Sequence, residues 1–362
     1  MSETKQTMPK YHQLKEELCD QIKRGELVPN QQLPTENSLA QQFKLSRHTV
    51  RTALDDLEKE GWIIREQGRG TFVSNRVANR IGCVAVIVKS ITNHIFPEII
   101  RGIYSVLIAA KYEIKIFLTR NDHEREAEYL KQILESEIDG VIIEQAHNIF
   151  STVNQKYFKA LEQRRIPYLM IHSYCPELNP AYIVVDDYKG GYLATQYLLQ
   201  LGHRRIACIY NSDAKQGLDR LEGYKKALQE YEIVPSSSII GQYQYQTLYS
   251  RFPFHFTQEL MQRSQSERPT AIFCYNDLDA IRALDAIRYL GLKVPDDVSI
   301  IGYNDSILAT VSEIKITSVR HPKDELGQEA ASYLLGMIKR RLEKPQAVIE
   351  PELVIRSSCR RI

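Results

Sequence analysis

Three short stretches in the first eighty residues constrain the fold more than anything else in the chain: 34–40, 45–51 and 67–73. Val50, Ala53, Leu54 and Leu57 recur at three- and four-residue steps, which predicts a helix with one buried stripe. Ser46 stands just before it, where a side-chain oxygen can accept an amide hydrogen bond from the first turn. Arg47, His48, Thr49 and Arg51 then project from that turn. No acid lies between Lys44 and Arg51, whereas Asp55, Asp56, Glu58 and Glu60 crowd the other end, so charge is polarised along the helix. A helix built this way offers one end to phosphate and its first side chains to base edges in the major groove.

The neighbouring segments complete a small domain. Tyr11, Leu14, Leu18 and Ile22 form a similar stripe that Gly25 ends, and Leu39, Ala40 and Phe43 supply a third. After Gly61, the runs 62–64 and 71–73 read as two short strands, and Gly68 and Gly70 supply the positive φ angles of a tight hairpin. Arg65 and Arg69 fall on or beside its tip.

Residues 10–73 resemble the winged helix-turn-helix domain of the GntR family of bacterial transcription regulators. The resemblance is carried by Pro34-Thr35-Glu36, by Ser46-Arg47-His48-Thr49-Val50-Arg51 and by Gly68-Arg69-Gly70-Thr71-Phe72-Val73. It implies that Arg47 and Arg51 touch DNA, with Arg51 a candidate for bidentate reading of a guanine edge. It further implies contacts from Lys10, Glu36, Ser46, His48, Thr49, Gln67, Gly68 and Arg69 on double-stranded operator DNA.

Composition frames the remainder. A chain of 362 residues, 43% hydrophobic and 25% charged, has the content of folded domains and length for one small and one large unit. Residues 1–80 hold 13 basic and 11 acidic side chains, so the whole formal charge of +2 is confined there. So small an excess puts the case for DNA binding on placement, not net charge. Six cysteines, at 19, 83, 175, 208, 274 and 359, show no C-x-x-C pair and no metal-ligand spacing, which predicts reduced thiols and a cytoplasmic protein without a metal site. The first eight residues offer no apolar signal segment, and the longest apolar runs are far short of a membrane span, so no membrane association is expected. Residues 74–80 break the pattern and read as a linker, following a domain at 1–73 and preceding one at 81–362.

From Ile81 onward, short apolar runs alternate with amphipathic segments. The runs 83–88, 114–118, 140–143 and 168–171 form one series of strands, and 206–210, 271–274 and 298–301 a second. Helices are predicted near 124–134, 189–201, 217–231 and 277–290. Buried strands separated by helices mark parallel sheets covered on both faces, and two series imply two α/β lobes with a ligand cleft between them. The predicted fold is thus multidomain: a small α+β winged helix-turn-helix followed by a two-lobed, periplasmic-binding-protein-like α/β domain.

No catalytic signature is present: no G-x-G-x-x-G after a strand, no P-loop, no H-E-x-x-H and no G-x-S-x-G. Asp186-Asp187 and Asp296-Asp297 are adjacent acids at strand ends and turns, where solvated or capping roles outweigh acid–base catalysis. The expectation is a protein that is not an enzyme and carries no cofactor.

The large region resembles the LacI/GalR effector-binding domain. The matches run in order through Arg101-Gly102-Ile103, Asp139-Gly140-Val141-Ile142, Val185-Asp186-Asp187 with Gly190-Gly191, Leu201 to Ile206, Arg220 to Tyr224, Cys274-Tyr275-Asn276-Asp277, Val294 to Ser299 and Ile301-Gly302-Tyr303-Asn304. It implies that Arg220, Asn276, Asp277 and Asn304 bond sugar hydroxyls, although Asn304 departs from the aspartate common there. Glu144, directly after a strand, and Asp187 join them as candidates, with Tyr174 and Tyr188 as candidate stacking platforms. These residue types suit a sugar, whose hydroxyls each donate and accept.

The fused order resembles the arabinose-responsive repressors of Gram-positive bacteria, also through Lys10-Tyr11, Thr35-Glu36-Asn37 and Glu350-Pro351-Glu352-Leu353. That resemblance implies a homodimer on a palindromic operator, released by a small sugar, L-arabinose, and controlling arabinose utilisation. Residues 74–80 lack a counterpart of the LacI hinge helix, so minor-groove kinking is not implied. A transport-type sugar-binding protein would share the large domain but needs export. A GntR-fused pyridoxal-phosphate enzyme needs a longer chain and a Schiff-base lysine motif.

Overall fold

The computed structural model describes residues 9–23, 25–75, 81–91, 95–146, 153–244 and 251–362. The backbone divides into two compact units, Met1–Gly82 with Ile338–Arg341 and Cys83–Met337 with Leu342–Ile362. Part of the expected linker, 76–80, lies outside the described residues.

In the first unit, α1 (Lys10–Lys23), α2 (Glu36–Phe43) and α3 (Arg47–Lys59) precede a hairpin of β1 (Ile63–Glu66) and β2 (Gly70–Val73). The stripes read from the sequence meet in one core: Leu14, Leu18 and Ile22 from α1, Leu39 from α2, and Val50, Ala53, Leu54 and Leu57 from α3, closed by Ile63 and Val73. Thr35 caps α2 by accepting from Ser38 N at 3.2 Å, and Ser46 caps α3 by accepting from Thr49 N at 3.1 Å. Between them Lys44 turns left-handed, at φ 52°, and ends α2. The hairpin is antiparallel, with Glu66 opposite Gly70; Trp62, expected in the strand, falls just before it. Gly68 at φ 75° and Gly70 at φ 125° make the turn.

The second unit has two lobes, each a six-stranded sheet. The first lobe contains β3 (Gly82–Val88), α4 (Phe96–Ala109), β4 (Tyr112–Leu118), α5 (His123–Leu134), β5 (Gly140–Ile143), α6 (Gln155–Gln163), β6 (Tyr168–Ile171) and β7 (Ala181–Val185). The second contains α7 (Asp187–Gln200), β8 (Ile206–Asn211), α8 (Lys215–Glu230), β9 (Ile240–Tyr243), α9 (Phe252–Gln262), β10 (Ala271–Cys274), α10 (Asp277–Tyr289), β11 (Ser299–Asn304), α11 (Ile307–Val311) and β12 (Thr317–Arg320). The chain then returns through α12 (Lys323–Ile338) and β13 (Gln346–Ile349) to the first sheet, and crosses again to β14 (Glu352–Val354) in the second.

Strand order is β13-β7-β6-β5-β3-β4 in the first sheet and β14-β12-β11-β10-β8-β9 in the second. The pairings β13–β7, β7–β6, β6–β5 and β5–β3 in the first sheet and β12–β11, β11–β10, β10–β8 and β8–β9 in the second are parallel, and β14 runs antiparallel to β12. The chain therefore passes between sheets after β7, after β12 and after β13. Central strands such as β5, β6 and β10 are buried along their whole length, as sheets covered on both faces require. Parallel sheets present their strand ends in common, and ligands of such sheets settle at the carboxyl ends.

Candidate functional site: an effector cleft and a DNA-reading face

Carboxyl ends from both sheets line one cavity of about 70 Å³, room for several water-sized groups. From the first lobe come Lys89 after β3, Glu144 after β5, His172 after β6 and Val185 at the end of β7. Facing them are Asn211 at the end of β8, Tyr275 and Asn276 after β10, and Asn304 at the end of β11. Asp187 opens α7 directly after the first passage between lobes, and His321 occupies the second.

Two charged clusters organise this cavity. On one side Glu144 accepts the Lys89 backbone amide at 3.2 Å, and its Oε1 lies 3.6 Å from Lys89 Nζ and 3.3 Å from His172 Nδ1. Burial alone would push the Glu144 carboxyl up, but Lys89 and His172 outweigh it and hold the group below its usual range. On the other side Arg220 donates to Asp187 Oδ1 from Nε at 2.8 Å and to the Tyr275 carbonyl from Nη1 at 2.6 Å. Its guanidinium lies 3.5 Å from the Tyr303 ring centre and 4.7 Å from that of Tyr275. Burial opposes its charge, yet Asp187 and the two aromatic neighbours keep Arg220 firmly protonated.

Helix packing sets that arginine in place. A methyl group on Gly191 of α7 would overlap the backbone carbonyl of Arg220 on α8, and one on Gly190 would overlap the Tyr303 hydroxyl. Only glycine lets α7 and α8 approach closely enough to seat Arg220 between Asp187 and Tyr303.

The cleft candidates divide. Glu144, Asp187, Arg220, Asn276 and Asn304 come together around the cavity, whereas Asp277 lies outside its lining. Its Oδ1 accepts from the Ser318 hydroxyl at 2.6 Å and its Oδ2 from the Ser306 amide at 2.7 Å. Burial pushes this carboxyl up to about 6. Asp277 thus braces the loops behind the wall. Asn276 caps α10, its Oδ1 accepting from Asp279 N at 2.9 Å, and Asn304 stands at φ 92° with its Oδ1 unpartnered among the described residues. Tyr174 is stacked on Tyr182, ring centres 3.9 Å apart, and Tyr188 is exposed; the aromatic walls of the cavity are Phe96 and Tyr275 instead. Lys89, His172, Asn211, Gln216, Tyr275 and His321 were not singled out from sequence. Their shared signal is position: all but Gln216 end a buried parallel strand or follow one within two residues. Neither acid pair forms a catalytic dyad: Asp186 caps α7 and Asp297 accepts the Lys293 amide.

On the first unit, Lys10, Ser46, Arg47, His48, Gln67, Gly68 and Arg69 are exposed, with Glu36 and Thr49 half-buried. Arg51 reaches back to Glu36, which holds its guanidinium further toward the charged form. Ser46 and Thr49 hydroxyls share a 2.7 Å bond. Arg69 pairs with Glu66 and leans over Phe72, while Arg65 is drawn aside by Asp55 and Glu58. No helix among the described residues is long and apolar enough to cross a membrane.

Comparison with known proteins agrees with both halves. Residues 10–73 match the bacterial regulatory proteins of the gntR family, and residues 195–359 match the periplasmic binding protein-like domain. The chain is 40% identical over 361 residues to the arabinose metabolism transcriptional repressor of Geobacillus stearothermophilus, covering 98% of this chain and 99% of the relative. It is 38% identical to that of Halalkalibacterium halodurans, covering 96% of each. Among solved structures, a LacI family transcriptional regulator from Enterococcus faecium with bound ribose matches with a TM-score of 0.67 and 26% identity, covering 77% of this chain and 99% of that one. These relatives are regulators, not enzymes. The chain belongs to the family of arabinose metabolism transcriptional repressors, DNA-binding proteins with a GntR-type reader and a LacI-like effector domain.

Proposed function

We propose that the effector is L-arabinose, bound in the cleft by Glu144, Asp187, Arg220, Asn276 and Asn304, and that it releases a homodimer from a palindromic operator of arabinose utilisation genes. The observation that carries this is the cavity itself, where carboxylates, a guanidinium and amides converge beside Phe96 and Tyr275. A pentose, with polar edges and apolar faces, matches that lining. Lys10, Glu36, Ser46, Arg47, His48, Thr49, Arg51, Gln67, Gly68 and Arg69 are the proposed DNA contacts, and a reader of chromosomal operators works in the cytoplasm. Exposed apolar side chains support self-association: Tyr104 and Ile108 on α4 with Ile116 on β4, and Tyr289, Ile307 and Val311 in the second lobe.

Sugar can release DNA only by binding the DNA-free form more tightly, and the same factor must weaken sugar binding when operator is present. Calorimetry against a panel of pentoses and hexoses, followed by gel shifts with and without the tightest binder, tests this. L-Arabinose should bind best, with a coupling of about 1–3 kcal/mol between sugar and operator. Equal sugar affinity in the presence and absence of operator would refute it.

A further inference from the structure

His172 leaves β6 in the first lobe, and His321 sits where the chain returns from β12 to α12. Their rings meet edge to face, centres 5.2 Å apart and planes at 76°. Both are more than nine-tenths buried and both line the cavity. Each keeps one ring nitrogen, Nε2 of His172 and Nδ1 of His321, without a hydrogen-bond partner among the described residues. Buried polar atoms left unmatched are costly, so two in one polar cavity call for a ligand that satisfies both. The Glu144 carboxylate, 3.3 Å from Nδ1, engages that side of the His172 ring and leaves Nε2 to meet a ligand hydroxyl.

We propose that His172 and His321 form a paired effector contact, each turning its unmatched ring nitrogen onto one of two neighbouring hydroxyls, and that the closed cleft accepts the His321 ring only when neutral. This rests on reading the cleft as a sugar site. A hydroxyl donates or accepts, so it meets either imidazole tautomer. Gln216 of α8 supports the arrangement by donating to the His172 carbonyl at 3.2 Å, which ties the second lobe to the first at this point.

The charges around His321 oppose a proton on it. Lys89 after β3, Arg220 on α8 and Lys323 on α12 are cations; Glu144 after β5, Asp187 on α7 and Asp213 after β8 are anions, and Glu144 and Asp187 carry cationic partners. Burial first, then His172, Lys323 and Arg220, hold His321 well below the ordinary imidazole value. In an opened, wetted cleft the ring regains a value near about 6.5. Below that pH, closure must expel a proton. The closed form is therefore favoured above about 6.5 and loses ground as pH falls, with sugar affinity dropping by up to about tenfold per unit.

The test is calorimetry of the full chain with L-arabinose between pH 8 and 5.5. Affinity should be level above pH 7 and about tenfold weaker at pH 5.5. His321→Gln keeps a hydrogen-bonding amide that does not titrate; it should bind within a few-fold of wild type at pH 7.5 and flatten the profile. His321→Leu should bind about tenfold more weakly than wild type at pH 7.5 with an equally flat profile, and His172→Gln, a second site, should also weaken binding. A flat wild-type profile, a His321→Gln profile as steep as wild type, or undiminished binding by His321→Leu would overturn the pair while leaving a sugar site intact. Failure of every sugar in the panel to bind at any pH would overturn the pair and the sugar reading together.

Discussion

Glu36 at the start of α2 and Arg51 on α3 are joined by two hydrogen bonds, Nε to Oε1 at 3.3 Å and Nη2 to Oε2 at 3.0 Å. The carboxylate holds the guanidinium in one plane while 62% of the Arg51 side chain stays exposed. A preset planar fork suits bidentate recognition of a guanine edge, because less freedom is lost when the bonds form.

Arg51→Ala should therefore cost about 1–3 kcal/mol at the cognate base and flatten discrimination there. Glu36→Ala should blunt the same discrimination without weakening binding to random DNA. Competition with base-substituted operators measures both, and equal loss on specific and random DNA would assign Arg51 to phosphate.

A rigid homodimer requires half-sites separated by whole helical turns, about 34–36 Å centre to centre or a multiple. Inserting half a turn between half-sites should abolish tight binding in a footprint. Binding indifferent to that insertion would rule out a rigid pair of readers.

Asn304 and Arg220 should separate recognition from architecture. Asn304→Gly tolerates φ 92° and removes the unpartnered amide, so sugar affinity should fall by about 1–3 kcal/mol with little change in melting temperature. Arg220→Ala strands the buried Asp187 carboxylate, so the effector domain should lose about 3–5 kcal/mol of stability. Because the reader has its own core, operator affinity should survive in both variants, while release by arabinose shifts to higher sugar concentration in Asn304→Gly and is lost in Arg220→Ala. Gel-shift titrations beside thermal melts check this, and wild-type release by Arg220→Ala would remove Arg220 from the site.

Asp279 gives a pH signature of the fold. Burial pushes its carboxyl up to about 6, opposed by the Tyr243 hydroxyl that donates to Oδ2 at 2.6 Å. A raised carboxyl favours the folded state below the unfolded value of about 4, and that advantage is lost as pH rises through 6. Asp279→Asn removes the titration, so its stability relative to wild type should rise by about 3 kcal/mol between pH 4 and 7. Denaturant melts of the two proteins across that range measure the difference; a constant offset would show that Asp279 does not titrate there.

The sequence by itself determined the local elements and the order of the domains. The stripe Val50, Ala53, Leu54 and Leu57 is buried because three- and four-residue spacing places it on one helix face wherever a core is available. Ser46 and Gly68 mark a cap and a turn for equally local reasons. Edge strands β13 and β14 escaped the reading because they are half-exposed and carry no buried apolar run. Tertiary structure decided which residues line the cleft. Asn276 and Asp277 are neighbours in sequence, yet the start of α10 puts one on the cavity wall and turns the other toward Ser306 and Ser318. His172 and His321, 149 positions apart, meet only because the chain passes back between lobes after β12. Side-chain periodicity is set within a few residues, whereas a binding site depends on which strand ends the sheet order brings together.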